Sequence, residues 1–523
     1  MKTLKSYTRG AWHEARNETA SGFTILVNPS TEEPIARASS AGLDFQAMLA
    51  FARDRGGPAL RALTFGERGE MLKAMSKALR DHRGELLELS ARNSGTTSHD
   101  GGFDIDGGTG TLGYYAGLAK GLGARRALLD GEDIPLMKTE AFYGQHLLVP
   151  RRGVAVHINA FNFPLWGFAE KAACALLAGV AVITKPATAT AAVTERAFEI
   201  LIAAQILPEG ALQLVCGSTG DLLSLLGAQD VFAFTGSADT ALKLRSGANL
   251  LAANTRVNLE ADSLNAAVLG PDVAPGTPAW ELFLKDVVRE MTQKSGQKCT
   301  AVRRILVPAD RGAAVEAALI ERLAAVVTGN PTDSTVTMGP LATAQQLRDA
   351  EGGLMKLQAA AKLVHGAARR SDGTGSPAGK GYFLTPTLLR VEDARAAAVV
   401  HAHEVFAPVA TQIHYAGGAT DAAEIVALGG GTLVTSVYSD DSDWTTEFIR
   451  NTSPFTGRIY IGSAASAGEA PGSGMAMPQT LHGGPGRAGG GEELAGPAGL
   501  RPYLQKVALQ GSRTELRAIA ERM

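Results

Sequence analysis

The chain has 523 residues, of which 45% are hydrophobic and 20% charged, and its formal net charge at pH 7 is -2. This length exceeds what one simple hydrophobic core supports, so we expect two or three domains. The near balance of charge excludes the strongly basic surface that binds nucleic acids or anionic membranes, and we expect neither as a partner.

The N-terminal residues contain no apolar core of a secretory signal, and the longest apolar run, 172–183, is too short to span a bilayer. Three cysteines in so long a chain do not make a disulfide framework. We therefore expect a protein of the reducing cytoplasm that has no membrane contact. His401 and His403 are interpreted as part of a strand or loop, and we predict no metal site.

Residues 40–130 are predicted to be mainly helical, since apolar residues such as Met71, Met75 and Leu79 recur at helical spacing. From about residue 145 the period changes to alternating strands and helices. Pro164 is predicted in the first turn of one helix, and Gly179 is predicted to cap its C-terminus. The strands are predicted at 153–158, 180–185, 211–216 and 230–237, and the helices from Pro164 to about 178, at 190–204 and near 219–226.

Strand–helix–strand units of this length predict a parallel sheet with helices on both faces. Ligands bind at the carboxyl ends of the strands in such sheets. Asn162, Lys185, Gly217 and Gly236 all lie at or just after the ends of predicted strands. The sequence therefore predicts a ligand site at this edge.

A second α/β segment is predicted from about residue 271 to 478, with a helix at 279–294 and a strand at 303–308. The stretch 462–496 is rich in Gly, Ala, Ser and Pro, and two interpretations stay open for it. It is either a flexible surface loop or a wall of an active-site mouth. The alternating run 503–509 predicts a late strand.

Three short motifs carry the chemistry. Cys299 lies in Ser-Gly-Gln-Lys-Cys-Thr, Glu260 in Asn-Leu-Glu-Ala-Asp-Ser, and Asn162 in Asn-Phe-Pro. A thiol nucleophile, a carboxylate base and an amide donor are the groups needed to hold an aldehyde carbon covalently while a hydride leaves it. These motifs resemble those of the aldehyde dehydrogenase superfamily, and the resemblance covers nearly all of the chain.

The resemblance implies that Cys299 attacks the aldehyde, that Glu260 activates water, and that Asn162 and the backbone N–H of Cys299 hold the oxyanion. Asparagine before Phe-Pro is also a good helix N-cap, and both roles are compatible. Many family members follow the glutamate with two glycines, whereas this chain has Ala261 and Asp262. Cys174 and Cys216 are interpreted as packing residues.

A proton path from Glu260 toward solvent is also implied by the resemblance. Lys171 and Glu493 match the positions that the family uses for it, and Glu170 is a further carboxylate beside the lysine. Lysine and glutamate on helices are more often solvated than functional.

The dinucleotide site is expected without a GxGxxG motif. By resemblance, Lys185 holds the adenosine ribose, the helix after Thr235-Gly236-Ser237 faces the pyrophosphate, and Glu404 binds the nicotinamide ribose beside Phe406. The expected cofactor-binding residues are Phe161, Lys185, Ala187, Thr188, Gly217, Thr235, Gly236, Ser237, Glu404 and Phe406.

Thr188 bears on the choice between NAD and NADP. Relatives that prefer NAD often have a glutamate three residues after the ribose lysine, where it binds the 2′-hydroxyl and repels a 2′-phosphate. This chain has Thr188 there, a neutral residue whose hydroxyl can donate to a phosphate. We therefore predict that NADP is preferred and that NAD is a weaker alternative.

Three longer segments, 156–164, 260–265 and 482–493, resemble a narrower branch of the superfamily. Its members oxidise CoA-linked semialdehydes during the aerobic degradation of phenylacetate and benzoate. The expected substrate is therefore a CoA-linked aliphatic semialdehyde, oxidised to the acid through a thiohemiacetal and a thioester on Cys299. The expected pathway is aerobic benzoate degradation, and the alternatives within the family are a general medium-chain aldehyde dehydrogenase and a semialdehyde dehydrogenase of the phenylacetate pathway.

Two alternatives belong to other classes of protein. An acylating dehydrogenase would pass the thioester to free CoA, but Glu260 argues for water as the acceptor. A non-enzymatic protein on the same fold would be expected to lack the cysteine, and this chain has Cys299.

The implied fold is α/β, with a Rossmann-like parallel-sheet cofactor domain, an α/β catalytic domain and a small β oligomerisation arm. A homodimer or a dimer of dimers is expected, because a protruding strand pair would otherwise leave exposed edges. The predicted cofactor domain is 1–135 and 153–270, the catalytic domain 271–478, the arm 136–152 and 500–512, and the glycine-rich loop near the active-site mouth 479–499.

Overall fold

The computed structural model describes residues 1–16, 22–139 and 141–523, so parts of the predicted cofactor domain and of the predicted arm lie outside the described residues. The strands are β1 (Lys2–Thr3), β2 (Ser6–Thr8), β3 (Ala11–His13), β4 (Thr24–Val27), β5 (Pro34–Ala38), β6 (Leu128–Leu129), β7 (Ile134–Pro135), β8 (Tyr143–Pro150), β9 (Val154–Ile158), β10 (Ala181–Lys185), β11 (Leu212–Leu214), β12 (Val231–Thr235), β13 (Arg256–Glu260), β14 (Ala266–Leu269), β15 (Arg304–Pro308), β16 (Lys362–His365), β17 (Thr387–Val391), β18 (Val409–Tyr415), β19 (Thr432–Tyr438), β20 (Thr456–Gly462) and β21 (Leu504–Gly511).

The α-helices are α1 (Phe45–Phe51), α2 (Gly57–Ala62), α3 (Phe65–Asp81), α4 (Arg83–Ser94), α5 (Ser98–Leu122), α6 (Trp166–Leu177), α7 (Ala191–Ala203), α8 (Ala238–Arg245), α9 (Ala248–Ala252), α10 (Pro278–Thr292), α11 (Gly312–Ala324), α12 (Ala344–Gln358), α13 (Ala398–Ala402), α14 (Ala419–Ala427), α15 (Ser442–Thr452) and α16 (Arg513–Arg522). A π-helical segment, Ala52–Gly56, joins α1 to α2. Among the described residues, none of the helices has both the length and the apolar content that crossing a membrane requires.

The first large sheet has the strand order β13-β12-β9-β10-β11-β2-β3. Its first five strands are parallel, and β2 and β3 add an antiparallel edge. The chain runs outward from β9 through β10 to β11, then returns to place β12 on the other side of β9. This reversal opens a crevice beyond the carboxyl ends of β9 and β12, which is where ligands bind in sheets of this kind.

The second large sheet has the order β16-β17-β18-β15-β14-β19-β20, and all its neighbouring strands are parallel except β16 and β17. Because β14 belongs to this sheet, the chain passes from the first sheet to the second between Glu260 and Ala266. That crossing lies before residue 271. The α/β class predicted from the sequence is confirmed by both sheets.

Two smaller sheets complete the described part of the molecule. One has the order β1-β5-β4, and the other pairs β21 with β8, which also pairs with β6 and β7. The eight residue pairs between β21 and β8 run antiparallel, from Leu504 opposite Pro150 to Gly511 opposite Tyr143. The late strand predicted at 503–509 is therefore present.

The start of α6 differs from the prediction. The helix begins at Trp166, so Pro164 lies in the turn before it and not in its first turn. The backbone N–H groups of Leu165 and Trp166 donate to the Asp104 carboxylate of α5, which satisfies this helix end. The interpretation of Asn162 as the helix N-cap is therefore wrong, because a carboxylate from another helix supplies the cap.

Two other predictions for the helices beside the first large sheet can be compared with the structure. Gly179 has φ 84° and donates to Leu176 O at the C-terminus of α6, which confirms it as the cap. The helix predicted near 219–226 is instead a short 3-10 turn, Leu222–Leu225. Gly220, with φ 47°, breaks the helical path just before it, and too few residues remain for an α-helix.

Candidate active site

Cys299 lies in a loop whose backbone is held in an unusual conformation. After α10, Lys294, Ser295 and Gly296 follow one another with φ of 52°, 56° and 66°. Non-glycine residues in this left-handed region cost about 1–2 kcal/mol each, so the surroundings must hold them there. Lys294 N–H donates to Asp100 of α5, and the Ser295 hydroxyl donates to Gly339 O at 2.7 Å.

Glycine is required at position 296 by close packing as well as by conformation. A Cβ atom there would lie 2.3 Å from Ala407 O, and Gly296 O already accepts from the Arg303 guanidinium at 2.9 Å. The loop is therefore fixed from several sides before Cys299 is reached.

The side chain of Cys299 opens into a pocket beyond the crevice of the first sheet. Five of the six residues predicted to be catalytic line this pocket, namely Asn162, Glu170, Lys171, Glu260 and Cys299, and the sixth, Glu493, lies behind them in contact with Lys171. The other residues that line the pocket include Phe103, Phe163, Trp166, Gly474, Ala476 and His482. Gly474, Ala476 and His482 come from the stretch 462–496.

Glu260 ends β13 and is in register with Thr235 at the end of β12. Its carboxylate is buried, and Oε2 lies 3.1 Å from His482 Nε2. The contact is an ion pair only when His482 is protonated, and neither carboxylate oxygen has a well-directed hydrogen-bond donor among the described residues. Burial raises the pKa of Glu260, but the charge of His482 and that of Lys171 outweigh burial and lower this pKa to about 2.

Asn162 is buried, and its Nδ2 donates to Gln297 O at 3.0 Å. This bond links the turn after β9 to the Cys299 loop and orients the amide toward the pocket. An amide NH2 has two donors, so the second hydrogen is free for a substrate oxygen.

Lys171 lies between two carboxylates in the pocket wall. Its Nζ is 2.9 Å from Glu170 Oε1 and 3.0 Å from Glu493 Oε1, and its side chain is 1% exposed. Burial lowers the pKa of Lys171, but the charges of the two glutamates outweigh it and raise this pKa. Thr235 extends the chain of polar contacts by donating to Glu493 Oε1 at 3.1 Å. The residues predicted for a proton path are thus in direct contact.

His482 is a residue that the sequence motifs did not mark as functional. It is buried, and Nε2 faces both Glu260 and the Cys299 Sγ, the latter at 3.9 Å. The one signal in the sequence was its place at the start of the glycine-rich segment that leads to Glu493. The pKa of His482 is raised although burial lowers it, because Glu260 stabilises the imidazolium.

The predicted adenosine side of the cofactor site lies at the carboxyl ends of neighbouring strands. Lys185 ends β10, Gly217 follows β11, and the Thr188 hydroxyl donates to Gly217 O at 3.3 Å. Ala187 precedes Thr188 and is half-buried. The half-buried Lys185 ammonium makes neither a hydrogen bond nor an ion pair within 1–16, 22–139 and 141–523, so its donors fit a ribose hydroxyl or a phosphate.

The helix predicted to face the pyrophosphate is α8. Gly236 follows β12, and Ser237 is the N-cap of α8, whose side chain accepts from Thr240 N–H. Asp262 was not expected here, yet its carboxylate accepts from Ala238 N–H at 2.8 Å. Part of this helix terminus is therefore already neutralised by an internal anion, which leaves fewer free N–H groups for a phosphate.

The predicted nicotinamide side is built around Arg303. Its guanidinium donates to Glu404 Oε1 at 3.1 Å, and Ser263 N–H donates to the other carboxylate oxygen at 2.9 Å. The rings of Phe161 and Phe406 meet edge to face, with centroids 5.9 Å apart. These residues surround one end of the crevice, and Arg303 is a positioning residue that no motif indicated.

The histidine pair was interpreted as part of a strand or loop, but His401 lies in the helix α13, and only His403 follows the helix into a loop. His401 Nδ1 lies 3.1 Å from Arg304 Nη1, and its Nε2 lies 2.8 Å from Ala394 O. Both ring nitrogens of His401 are therefore engaged in packing contacts of α13.

A sequence profile of the aldehyde dehydrogenase family matches residues 16–507 of the chain. Over 482 residues the chain is 46% identical to a 3,4-dehydroadipyl-CoA semialdehyde dehydrogenase of Aromatoleum evansii, covering 92% of this chain and 93% of that protein. The family predicted from the motifs is thereby confirmed.

Solved structures share the fold at lower identity. Betaine aldehyde dehydrogenase of Staphylococcus aureus in complex with NAD+ has a TM-score of 0.83 at 24% identity, covering 97% of this chain and 95% of that one. A 3,6-anhydro-L-galactose dehydrogenase, in complex with the ligand NAP, has a TM-score of 0.83 at 22% identity, covering 98% and 100%. These likenesses establish the fold.

Proposed function

The chain belongs to the aldehyde dehydrogenase family, and from this we propose that it oxidises a CoA-linked aliphatic semialdehyde to the carboxylic acid with NADP. The observation that carries the reaction is the convergence of Cys299, Asn162 and Glu260 on one pocket. The substrate is proposed to be 3,4-dehydroadipyl-CoA semialdehyde, since the relative that is 46% identical carries that name.

The first step is covalent capture of the aldehyde. The Cys299 thiolate adds to the carbonyl carbon and forms a thiohemiacetal, while the oxyanion accepts hydrogen bonds from Asn162 Nδ2 and the backbone N–H of Cys299. One such donor typically contributes about 3 kcal/mol to the transition state. Asn162 is suited to this role because its bond to Gln297 O holds the amide in place beforehand.

The bound nicotinamide supplies the hydride acceptor. Lys185, Thr188 and Glu404 would hold the dinucleotide, with Phe161 and Phe406 beside the nicotinamide end. Loss of the hydride leaves a thioester on Cys299. Capturing the aldehyde divides one difficult oxidation into two easier steps.

Hydrolysis of the thioester completes the cycle. Glu260 is ionised at neutral pH, since its pKa is about 2, and it faces the pocket that contains Cys299. It can therefore orient a water molecule and accept its proton, which Lys171, Glu493 and Glu170 can relay because they contact one another within 3.1 Å. The acid then leaves.

Three further properties belong to this proposal. The preference for NADP over NAD is supported by the neutral Thr188 near the predicted ribose site. A role in aerobic benzoate degradation is supported by the resemblance of segments 156–164, 260–265 and 482–493, and a cytoplasmic location by the small number of cysteines, three in 523 residues. A homodimer or dimer of dimers is supported by β21, whose outer edge has no strand partner among the described residues.

The test is the appearance of reduced nicotinamide absorbance with the CoA-linked semialdehyde and with a medium-chain aliphatic aldehyde. NADP and NAD are compared in parallel, and the products are analysed with and without added CoA. We expect NADP-favoured turnover to the free acid, lost in Cys299→Ala and retained in Cys216→Ala, which removes a buried thiol of the first sheet. A new CoA thioester at the oxidised aldehyde carbon, formed only when free CoA is added, would identify an acylating enzyme and overturn the proposal.

A further inference from the structure

His482 holds a position between the two reacting groups of the pocket. Its Nε2 lies 3.9 Å from Cys299 Sγ and 3.1 Å from Glu260 Oε2. The ring is held from its backbone, because Glu493 N–H donates to His482 O at 2.8 Å and Gly483 bridges to Glu492 in the antiparallel sense. The imidazole is thus buried against the nucleophile by a short, closed segment of chain.

We propose that His482 is a catalytic base, which takes the thiol proton of Cys299 while Glu260 stabilises the imidazolium. The S–H bond breaks, an N–H bond forms at Nε2, and the electron pair stays on sulfur, so the step needs no other reactant. The inference rests on the proposed role of Cys299 as the nucleophile.

The geometry makes His482 a strong proton acceptor. One nitrogen, Nε2, faces both the thiol and a carboxylate oxygen. In a neutral ring with its lone pair on Nε2, that lone pair would lie 3.1 Å from a Glu260 carboxylate oxygen, which is unfavourable. Protonation of Nε2 replaces this repulsion by an ion pair, so Glu260 increases the basicity of its neighbour.

The thiol needs such an acceptor. Burial raises the pKa of Cys299, and the charge of Glu260 raises it further, so the unassisted thiol stays protonated at neutral pH. Transfer of that proton to Glu260 would neutralise the carboxylate charge that stabilises the imidazolium. The pKa of His482 is raised instead, which favours the imidazole as the group that receives the proton.

The other charged groups around the His482 ring shift its pKa in opposite directions. Glu170 raises the pKa of His482, and Arg458 of β20 lowers it. Lys171 and Glu493 act through Glu260, and both lower its pKa, Lys171 by its charge and Glu493 by a hydrogen bond. The Arg458 guanidinium donates to Ser473 O at 2.8 Å, so it is held at a fixed distance from the ring.

The experiment measures the rate at which iodoacetamide alkylates Cys299 in the full-length protein as a function of pH. It needs no aldehyde, and Cys299→Ser identifies the labelled site by mass spectrometry. In His482→Gln we expect the rate at neutral pH to fall at least about tenfold and the apparent pKa of alkylation to rise by about one unit or more. The matched control is His365→Gln, a histidine of β16 outside the pocket, which should keep the wild-type profile.

A wild-type alkylation profile in His482→Gln would overturn the proposal. So would a larger loss in Glu260→Gln than in His482→Gln, since that result would assign the thiol proton to Glu260. Nucleotide binding reports whether each variant is folded, and His482→Asn replaces His482→Gln if the latter does not fold. Absence of aldehyde turnover in the wild type with a shifted alkylation profile would reject the proposed function and retain His482 as the base.

Discussion

At the scale of the residue, the pocket depends on charges that are buried in contact with one another. Lys171 is 1% exposed and lies between Glu170 and Glu493, and Glu260 lies against His482. Removing one partner of a buried ion pair typically costs about 3–5 kcal/mol, because the other charge is left without compensation. The contacts that are proposed to transfer protons therefore also affect the stability of the fold.

The first prediction at this scale concerns Thr188→Glu. A carboxylate next to the predicted ribose site would repel a 2′-phosphate, so the ratio of kcat/KM for NADP to that for NAD should fall at least about tenfold, or about 1.4 kcal/mol. Steady-state kinetics with both nucleotides measure the ratio. Thr188→Ser keeps the hydroxyl and should keep the wild-type ratio. An unchanged ratio in Thr188→Glu would show that Thr188 does not set the preference.

The second prediction concerns the pH dependence of stability. The lowered pKa of Glu260 stabilises the fold above its unfolded pKa of about 4.5, and this contribution disappears as pH falls toward 2. The raised pKa of His482 stabilises the fold below its unfolded pKa of about 6.5, and this contribution disappears as pH rises through the folded value. Both contributions are complete only between about pH 4.5 and 6.5.

The melting temperature of His482→Gln should therefore fall below that of the wild type by the largest margin near pH 5.5, with a smaller difference toward pH 3 and pH 9. Thermal unfolding of both proteins across this range is the measurement. A difference that stays constant with pH would mean that the side chains interact by packing alone.

At the scale of the element, α5 and α6 set the pocket wall by close contact. A Cβ at Gly107 of α5 would lie 2.2 Å from the ring of Trp166, the first residue of α6 and part of the pocket lining. Lys171 and Glu170 lie on the same helix, so a shift of α6 would move the buried charges as well.

The prediction at this scale compares two glycines of α5. Gly107→Ala should destabilise the protein by about 1–3 kcal/mol, the usual cost of overpacking, because the Trp166 ring must move. Gly110→Ala is the matched control: a Cβ there meets open space, so it should gain up to about 1 kcal/mol from helix propensity. Denaturant unfolding measures both. Equal effects would show that the Trp166 contact does not constrain α5.

The sequence predicts correctly those helices and strands that a pattern in their own residues identifies. β9 and β10 are almost wholly buried parallel strands, so they appear as short apolar runs, and Asn162 and Lys185 follow them as expected. The start of α6 was misplaced because its cap comes from Asp104, which no local pattern links to Leu165. His482 escaped notice for the same reason, since it lies 183 residues from Cys299 and only the path of the loop brings them together.

At the scale of the whole molecule, the β21–β8 sheet leaves an exposed strand edge. Val507 of β21 is 40% exposed, and Leu129, Ile134 and Phe142 in the same region are similarly open to solvent. A strand edge with exposed apolar side chains is a surface that proteins usually cover. We expect a second copy of the chain to cover it.

The prediction at this scale is that Val507→Lys weakens self-association. Light scattering after size exclusion should give two or four times the monomer mass of 54.3 kDa for the wild type, and a shift toward 54.3 kDa for the variant. Gln510→Lys adds the same charge to an exposed position on the opposite face of β21 and should leave the mass unchanged. A monomeric wild type would rule out this interface.

The loop that contains Cys299 has a consequence for the synthesis of the chain. Lys294 is tied to Asp100, which the ribosome makes early, whereas His482 and Glu493 are made long after Cys299. A nascent chain that has reached Cys299 therefore has the thiol but neither the histidine nor the second glutamate beside it. Between the synthesis of Cys299 and that of Glu493, the growing chain therefore carries a thiol that lacks the surroundings it has in the folded protein.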